Sequence, residues 1–348
     1  MVRYLIYGAN GYTGSLIARM ATARGHRPIL AGRNLQVRDL AAELGLESRL
    51  VSLDDASALD AALEGVSAVL HCAGPFSRTA DPMARACLRT RRHYLDITGE
   101  IGVFEHLASL NQQARTSKIV LMPGVGFDVV PTDCLAAHLK QRLPDATHLA
   151  LAFQSLGGVS RGTATTLVEN LHRGGAIRRN GLIVPVPSCW KTRAINFRRG
   201  RTIAITIPWG DVATAWHTTG IPNIETYVAA PLVVRMATWL SRPFTSWLAA
   251  SPVQRWLKAR IQGQPPGPTD EQRLRGRTYI WGEVRNAQGQ RKVSRLRGPE
   301  GYTTTALTAL AIVEGVLEGR VSPGYQTPAR AFGADLILGL PGFERIDE

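Results

Sequence analysis

The chain has 348 residues, 45% of them apolar, with 41 Lys and Arg against 27 Asp and Glu for a net charge of +14. That apolar fraction can bury a sizeable core and excludes wholesale disorder, and the length suggests two domains at roughly 100–200 residues each. Four cysteines with no CxxC pair exclude a disulfide framework and argue against a Cys-based zinc or thioredoxin-like site.

Val2–Tyr7 is an apolar run of strand length, and Tyr12–Arg24 carries apolar residues at helical spacing. Arg27–Ala31 reads as a second strand and Leu35–Leu44 as a helix. Leu50–Leu53, Ala68–Cys72 and Ile119–Met122 are further apolar runs. Helical segments at Ala56–Leu63, Pro82–Leu88 and Val103–Ala114 separate them. Strands alternating with helices imply parallel pairing in an α/β sheet covered on both faces. The first residues run straight into a glycine cluster with no charged leader or cleavage site, the pattern of a cytoplasmic protein. No run of about 18 uncharged apolar residues occurs, so no spanning helix is expected.

The pattern changes after Pro123. Residues 147–154 and 202–207 alternate enough to be strands, and Thr163–Leu171 looks helical. Residues 176–201 are basic and turn-rich. Residues 227–262 form a unit broken by Pro231, Pro243 and Pro252, and Gln262–Asp270 is a loop. Arg277–Glu283 and Gln290–Leu296 suggest a hairpin around Ala287-Gln288-Gly289. Thr303–Glu318 is a helix with Gly319 at its end, and Pro323–Pro341 is turn-rich with one apolar segment. The charge is uneven. Residues 171–300 hold 21 Lys and Arg against 6 Asp and Glu, whereas the remainder is close to neutral. Such an excess draws anions, or it is a solvated basic surface.

Gly8-Ala9-Asn10-Gly11-Tyr12-Thr13-Gly14 sits after the first strand and opens the first helix, where a dinucleotide fingerprint belongs. Gly8 permits the tight turn, Gly11 lets the backbone approach a pyrophosphate, and Gly14 lets the helix pack on the strand. The helix start offers amides and a partial positive charge to phosphates. The spacing is GxxGxxG, a departure from GxGxxG. The second strand ends in Ala31-Gly32-Arg33-Asn34, where a site for NAD would carry an acid for the ribose hydroxyls. A guanidinium at Arg33 suits a 2′-phosphate, so NADP is expected over NAD. Asp54, after the third strand, would meet the adenine or cap a helix.

Five motifs occur in order: Gly8–Gly14, Ala31–Asn34, Ala73-Gly74-Pro75-Phe76, Tyr94-Leu-Asp96-Ile-Thr98-Gly-Glu100 and Pro123-Gly-Val-Gly-Phe127-Asp128. Together they resemble the saccharopine dehydrogenase-like NADP-binding oxidoreductases, most closely the branch with the bacterial trans-acting enoyl reductases. Ser160–Thr163 and Gly324–Gly333 extend the resemblance, while 176–300 matches only loosely. It implies an α/β fold: a Rossmann-type parallel sheet, a second α+β substrate domain, and a C-terminal segment returning to the first domain. The corresponding expectations are an NADP-binding domain over 1–125, a basic substrate or dimerisation domain over 126–300, and a helix and tail over 301–348. Residues 73–76 would border the nicotinamide and ribose, because ligands sit at the carboxyl ends of parallel strands.

Hydride chemistry belongs to the NADP(H) cofactor, so the protein must place the acceptor carbon and handle charge and protons. Tyr94, Asp96, Thr98 and Glu100 follow a strand-like run. Asp96 and Glu100 would hold substrate or act as acid and base, or else Asp96 serves a loop and Glu100 caps the next helix. Phe127, Asp128, Pro131 and Asp133 lie where the chain leaves the first sheet. Asp128 is a catalytic candidate, and Asp128 or Asp133 would alternatively cap a helix over Thr132–Leu143. His71 is a candidate donor or a structural histidine, and Cys72 a core residue. No metal set is apparent among the eight histidines.

Within 227–262, Trp239, Trp247 and Trp256 alternate with apolar residues and with Arg235, Arg242, Arg255, Lys258 and Arg260. That combination suits an anionic membrane surface, a homodimer interface, the mouth of a lipid-sized pocket, or a buried helical pair. Nucleic acid is not expected, because no base-stacking motif accompanies the charge. The sequence thus points to an NADPH-dependent reductase of a C=C bond in a hydrophobic acyl or polyketide-like substrate, carrier- or CoA-linked. Imine or ketone reduction in amino-acid-like metabolism is one alternative. A lipid-associated scaffold without turnover is another. The expected location is cytoplasmic, peripheral at the membrane.

Overall fold

The chain opens with β1 (Tyr4–Tyr7), α1 (Tyr12–Ala23), β2 (Ile29–Gly32), α2 (Gln36–Leu44), β3 (Ser48–Leu50), α3 (Ala56–Ala62) and β4 (Ala68–His71). It continues with α4 (Phe76–Thr90), β5 (His93–Asp96), α5 (Ile101–Ser109), α6 (Asn111–Thr116) and β6 (Val120–Met122). The computed structural model describes residues 3–156, 160–170, 174–198, 200–240 and 250–348. Every residue of β1, β2 and β4 is buried. Helices cover both faces of the sheet, so these strands are apolar at consecutive positions without alternation. Leu5, Tyr7, Ile29, Leu59, Val69, Met83, Tyr94 and Leu107 share one core.

Several boundaries differ from the sequence reading. The third strand is Ser48–Leu50, ahead of the expected Leu50–Leu53. The helix expected at Pro82–Leu88 is α4, which starts at Phe76 and carries Pro82 inside it. Its first turn is held by an acceptor distant in sequence, described below. The segment Val103–Ala114 forms two helices, α5 and α6. Tyr94 and Asp96 lie on β5 itself and do not follow it.

The second half contains α7 (Val130–Arg142), β7 (His148–Leu156), α8 (Arg161–Asn170), β8 (Gly175–Arg179), β9 (Leu182–Val186), β10 (Thr192–Asn196) and β11 (Arg201–Thr206). Then come α9 (Asp211–Thr219), β12 (Asn223–Ala229), α10 (Leu232–Leu240), α11 (Ser251–Gln262), α12 (Asp270–Arg275), β13 (Arg277–Arg285) and β14 (Arg291–Pro299). Residues 176–201, expected to be turns, carry three strands. Their arginines stand on strand faces, where Arg178 reaches the carbonyls of Val212 and Gly181. Helix α9 and strand β12 had no counterpart in the sequence reading, and β12 takes the start of the unit expected at 227–262. Arg242, Pro243 and Trp247, the end of the expected helix at Leu171, and Val2 lie outside the described residues.

The C-terminal part comprises α13 (Gly301–Leu317), β15 (Gly324–Tyr325), α14 (Pro328–Phe332) and β16 (Glu344–Asp347). The first sheet has the order β15-β6-β5-β4-β1-β2-β3 and is parallel throughout. The chain divides into two compact units, 1–130 with 302–333 and 131–301 with 334–348.

The second unit is built on a mixed sheet in the order β10-β11-β12-β7-β13-β14-β16, with β8 and β9 joined to β12. One face packs on α7: a Cβ at Gly282 would lie 2.6 Å from the Leu139 side chain. The opposite face curls on itself. Arg193 of β10 reaches Glu283 of β13 at 2.6 Å and lies 4.6 Å over the Trp281 ring. Arg295 of β14 donates to the carbonyl of Asn196 at 2.7 Å. Ile195, Phe197, Tyr227, Trp281 and Val293 fill the interior so enclosed. Glu283, 2% exposed, also accepts from Arg285 and Arg291, and these cations hold its carboxyl below the usual range despite burial.

Candidate functional site

The site is built at the carboxyl ends of β1, β2, β4, β5 and β6 in the first unit. β1 lies between β2 and β4, so the strand order reverses direction there. Open parallel sheets bind ligands at that switch point. Gly8 follows β1 with φ of +79°, and a Cβ there would lie 2.8 Å from Ala73. A Cβ on Gly14 would lie 2.3 Å from the Gly8 carbonyl, so only glycine lets α1 approach β1 this closely. Gly11 caps α1 without a side chain and Ser15 donates back to its carbonyl at 2.8 Å. Tyr12, Thr13 and Gly14 form the first turn, which has no acidic residue. An uncapped helix start of this kind presents amides and positive potential to a pyrophosphate. The Tyr12 ring meets Tyr302 edge-on at 5.0 Å.

Beside this turn, Asn10 donates to Gln36 at 3.4 Å. Arg33 and Asn34 follow β2 on the surface, and Arg33 has no hydrogen-bond or ion-pair partner among the described residues. Its guanidinium is available for a phosphate oxygen. Asp54 accepts from the Ser52 hydroxyl at 3.0 Å, and the cap of α3 is Asp55, whose carboxylate accepts from the Ala58 amide at 2.9 Å. The capping role considered for Asp54 therefore belongs to its neighbour.

The loop Ala73-Gly74-Pro75-Phe76 leaves β4 and starts α4, with a cis peptide between Gly74 and Pro75. Thr79 donates to the Ala73 carbonyl at 2.6 Å. Glu100, expected to cap the following helix, makes no such bond to α5. Its two carboxylate oxygens accept from the Phe76 amide at 2.7 Å and the Ser77 amide at 3.1 Å, closing the start of α4. The adjacent parallel strands β4 and β5 bring these loops together. His71, at the end of β4, is fully buried among Tyr7, Phe76 and Tyr94, with ring centroids at 5.4, 5.4 and 6.2 Å. Neither ring nitrogen has a hydrogen-bond partner among the described residues, and burial pushes its pKa down to about 3. It is neutral at physiological pH. Burial likewise raises the Cys72 thiol.

Asp96 ends β5 and is fully buried. It accepts from the Tyr94 hydroxyl at 2.6 Å, the Thr98 amide at 2.9 Å and the Gly124 amide at 3.0 Å. Burial raises its pKa to about 6, with these three donors pulling the other way. Burial also carries the Tyr94 hydroxyl well above its ordinary value. Asp96 thereby fastens the loop after β6, and its carbonyl accepts from Val125 at 2.8 Å. The same loop is tied to α13: Thr308 donates to the Val125 carbonyl at 2.8 Å, and Thr305 accepts from the Phe127 amide at 3.0 Å.

Asp128, on this loop, is half-buried and packs against Gly99. A Cβ at Gly99 would lie 2.6 Å from its Oδ2. Its carboxyl has no hydrogen-bond partner among the described residues, and burial raises its pKa to about 7. It caps no helix; α7 starts two residues later. Asp133 lies in the first turn of α7, fully buried. The structure thus brings Asp96, Glu100 and Asp128 to one end of β5 and β6, with the first two engaged by backbone amides. Gly99 and Thr305 escaped the sequence reading. A glycine inside a motif was the available signal for the first, and nothing local pointed to the second. Among the described residues, no group of three or more His, Cys, Asp or Glu forms a metal set. No described helix is long and apolar enough to cross a membrane.

A profile of the saccharopine dehydrogenase NADP-binding domain matches residues 4–122. The chain is 29% identical to a trans-acting enoyl reductase of Mycobacterium ulcerans over 181 residues, 47% of this chain and 43% of that protein. It is 31% identical to the trans-acting enoyl reductase of Mycobacterium leprae over 148 residues, 40% of this chain and 35% of that one. It therefore spans about two fifths of the length of these relatives. A protein of Arabidopsis thaliana described as a probable mitochondrial saccharopine dehydrogenase-like oxidoreductase is 25% identical, over 95% of this chain and 92% of its own. The apo saccharopine dehydrogenase (L-Glu forming) of Saccharomyces cerevisiae shares the fold, with a TM-score of 0.69 over the full length of both chains at 12% identity. The glycine turn, the uncapped helix start and the unpartnered Arg33 fit the cofactor that this domain binds. Residues 4–122 thus match the saccharopine dehydrogenase NADP-binding domain.

Proposed function

We propose that the chain is an NADPH-dependent reductase acting on the C=C bond of an α,β-unsaturated acyl group in a hydrophobic substrate. The observation that carries this reading is the likeness to trans-acting enoyl reductases over nearly half the chain. Bound NADPH would supply the hydride. Gly8, Gly11 and Gly14 would accept the pyrophosphate at the start of α1, and Arg33 the 2′-phosphate. Residues 73–76 would flank the reacting ring.

Hydride addition at the β-carbon of an unsaturated carbonyl compound leaves an enolate, which takes a proton at the α-carbon. A carboxyl that keeps its proton near pH 7 is suited to give it. Asp128 meets that condition, with a pKa raised to about 7 by burial and no competing hydrogen bond among the described residues. Asp96 and Glu100 are positioning residues in this reading. Asp96 holds the loop that carries Asp128, and Glu100 holds the start of α4 beside the cofactor loop.

The test is NADPH consumption by the purified chain with a medium-chain 2-enoyl thioester, against a panel of keto acids with amino acids. Consumption with the thioester alone supports the proposal. Consumption only with the keto acid and amine pairs would replace it with imine reduction, and no consumption with any of them would contradict both.

A further inference from the structure

We propose that the segment carrying α10 and α11 binds the surface of an anionic lipid bilayer. On α10, Leu232, Val233, Val234, Met236, Trp239 and Leu240 are all exposed, Val233 at 78% and Trp239 at 57%. At 3.6 residues per turn these positions spread over more than half of the helix circumference. A groove on a protein partner takes a narrower stripe, at i, i+3, i+4 and i+7. A fluid apolar phase accepts the whole arc.

Helix α11 is amphipathic in the opposite sense. Val253, Gln254 and Leu257 are half-buried and Ile261 is buried, with the Gln254 amide donating to the Val168 carbonyl of α8 at 3.0 Å. Its outer face presents Arg255, Trp256 and Arg260, with the Arg260 guanidinium 5.0 Å from the Trp256 ring centre. From Thr226 to Thr269 the sequence has five Lys and Arg and no Asp or Glu. Exposed tryptophans among aliphatic residues, in a stretch with cations and no acidic residue, match the headgroup region of an anionic leaflet. The same net positive charge of the stretch repels a second copy of it.

The experiment is flotation of the full chain with phosphatidylcholine vesicles and with phosphatidylcholine vesicles containing phosphatidylserine. The chain is expected to float with the anionic vesicles and to be released by salt. Val233→Ser with Trp239→Ser should lower binding roughly tenfold or more, through lost apolar contact. Arg255→Gln with Arg260→Gln should lower it by roughly fivefold per charge, at about 1 kcal/mol each. All four positions are exposed, so unchanged thermal unfolding and NADPH binding certify the fold. Failure of the wild type to float, equal flotation with both vesicles, or variants that float like the wild type would overturn the proposal. So would a concentration-dependent dimer abolished by the Val233 and Trp239 substitutions, which would assign the face to a second copy.

Discussion

Asp96 and Asp128 are the same residue type, 32 positions apart in the chain, and they differ in what surrounds the carboxyl. Asp96 accepts three hydrogen bonds, which oppose its burial and leave its pKa at about 6. Asp128 accepts none among the described residues and stands at about 7 from burial alone. A raised carboxyl pKa means the proton is held at and below that pH and lost above it. If Asp128 is the donor, kcat/KM with an enoyl thioester is level below about pH 7 and falls tenfold per pH unit above it. Asp128→Asn should lower kcat/KM by roughly 10²–10⁴-fold and remove that limb. A full-activity variant, or an unchanged limb in the variant, would assign the proton to another group.

At the scale of elements, helix starts organise the site, and they do so in two ways. Helix α1 is left uncapped, and the glycines allow it to sit against β1. Helix α4 is capped by Glu100, which lies on a different strand's loop. Replacing Glu100 with Ala should lower stability by about 0.5–2 kcal/mol in urea unfolding, with Glu100→Gln losing less because it keeps one acceptor oxygen. An unchanged midpoint for Glu100→Ala would show that the two amide bonds contribute nothing. The glycine turn was legible because its constraint is local: a positive φ and a missing Cβ are written at the position that needs them. The parallel sheet was legible from consecutive apolar residues in β1, β2 and β4. The Glu100 cap was not, because its partners lie 23 and 24 residues earlier and meet it only through the β4–β5 pairing. Strands β8 to β10 were not, because Arg178 bonds the carbonyls of Val212 and Gly181 and Arg193 pairs with Glu283 across the sheet, partners invisible in a stretch that reads locally as solvated and basic.

For the whole molecule, the two units divide the charge as well as the fold. The excess of Lys and Arg lies over 171–300, within the second unit. There, part of it neutralises Glu283 and part stands exposed on α11. The first unit is close to neutral, so in the proposed NADP site the attraction for a phosphorylated cofactor would come from Arg33, exposed after β2, and from the start of α1. The proposed NADP site is built in this way. Its most direct test is titration of the wild type and of Arg33→Ala with NADPH and NADH, followed by protein fluorescence. The wild type is expected to prefer NADPH by roughly 10–100-fold, as a charge-assisted contact of about 1.5–3 kcal/mol requires, and Arg33→Ala to lose the preference while NADH affinity holds. Equal affinity for both nucleotides in the wild type, an undiminished preference in the variant, or no binding of either would contradict it.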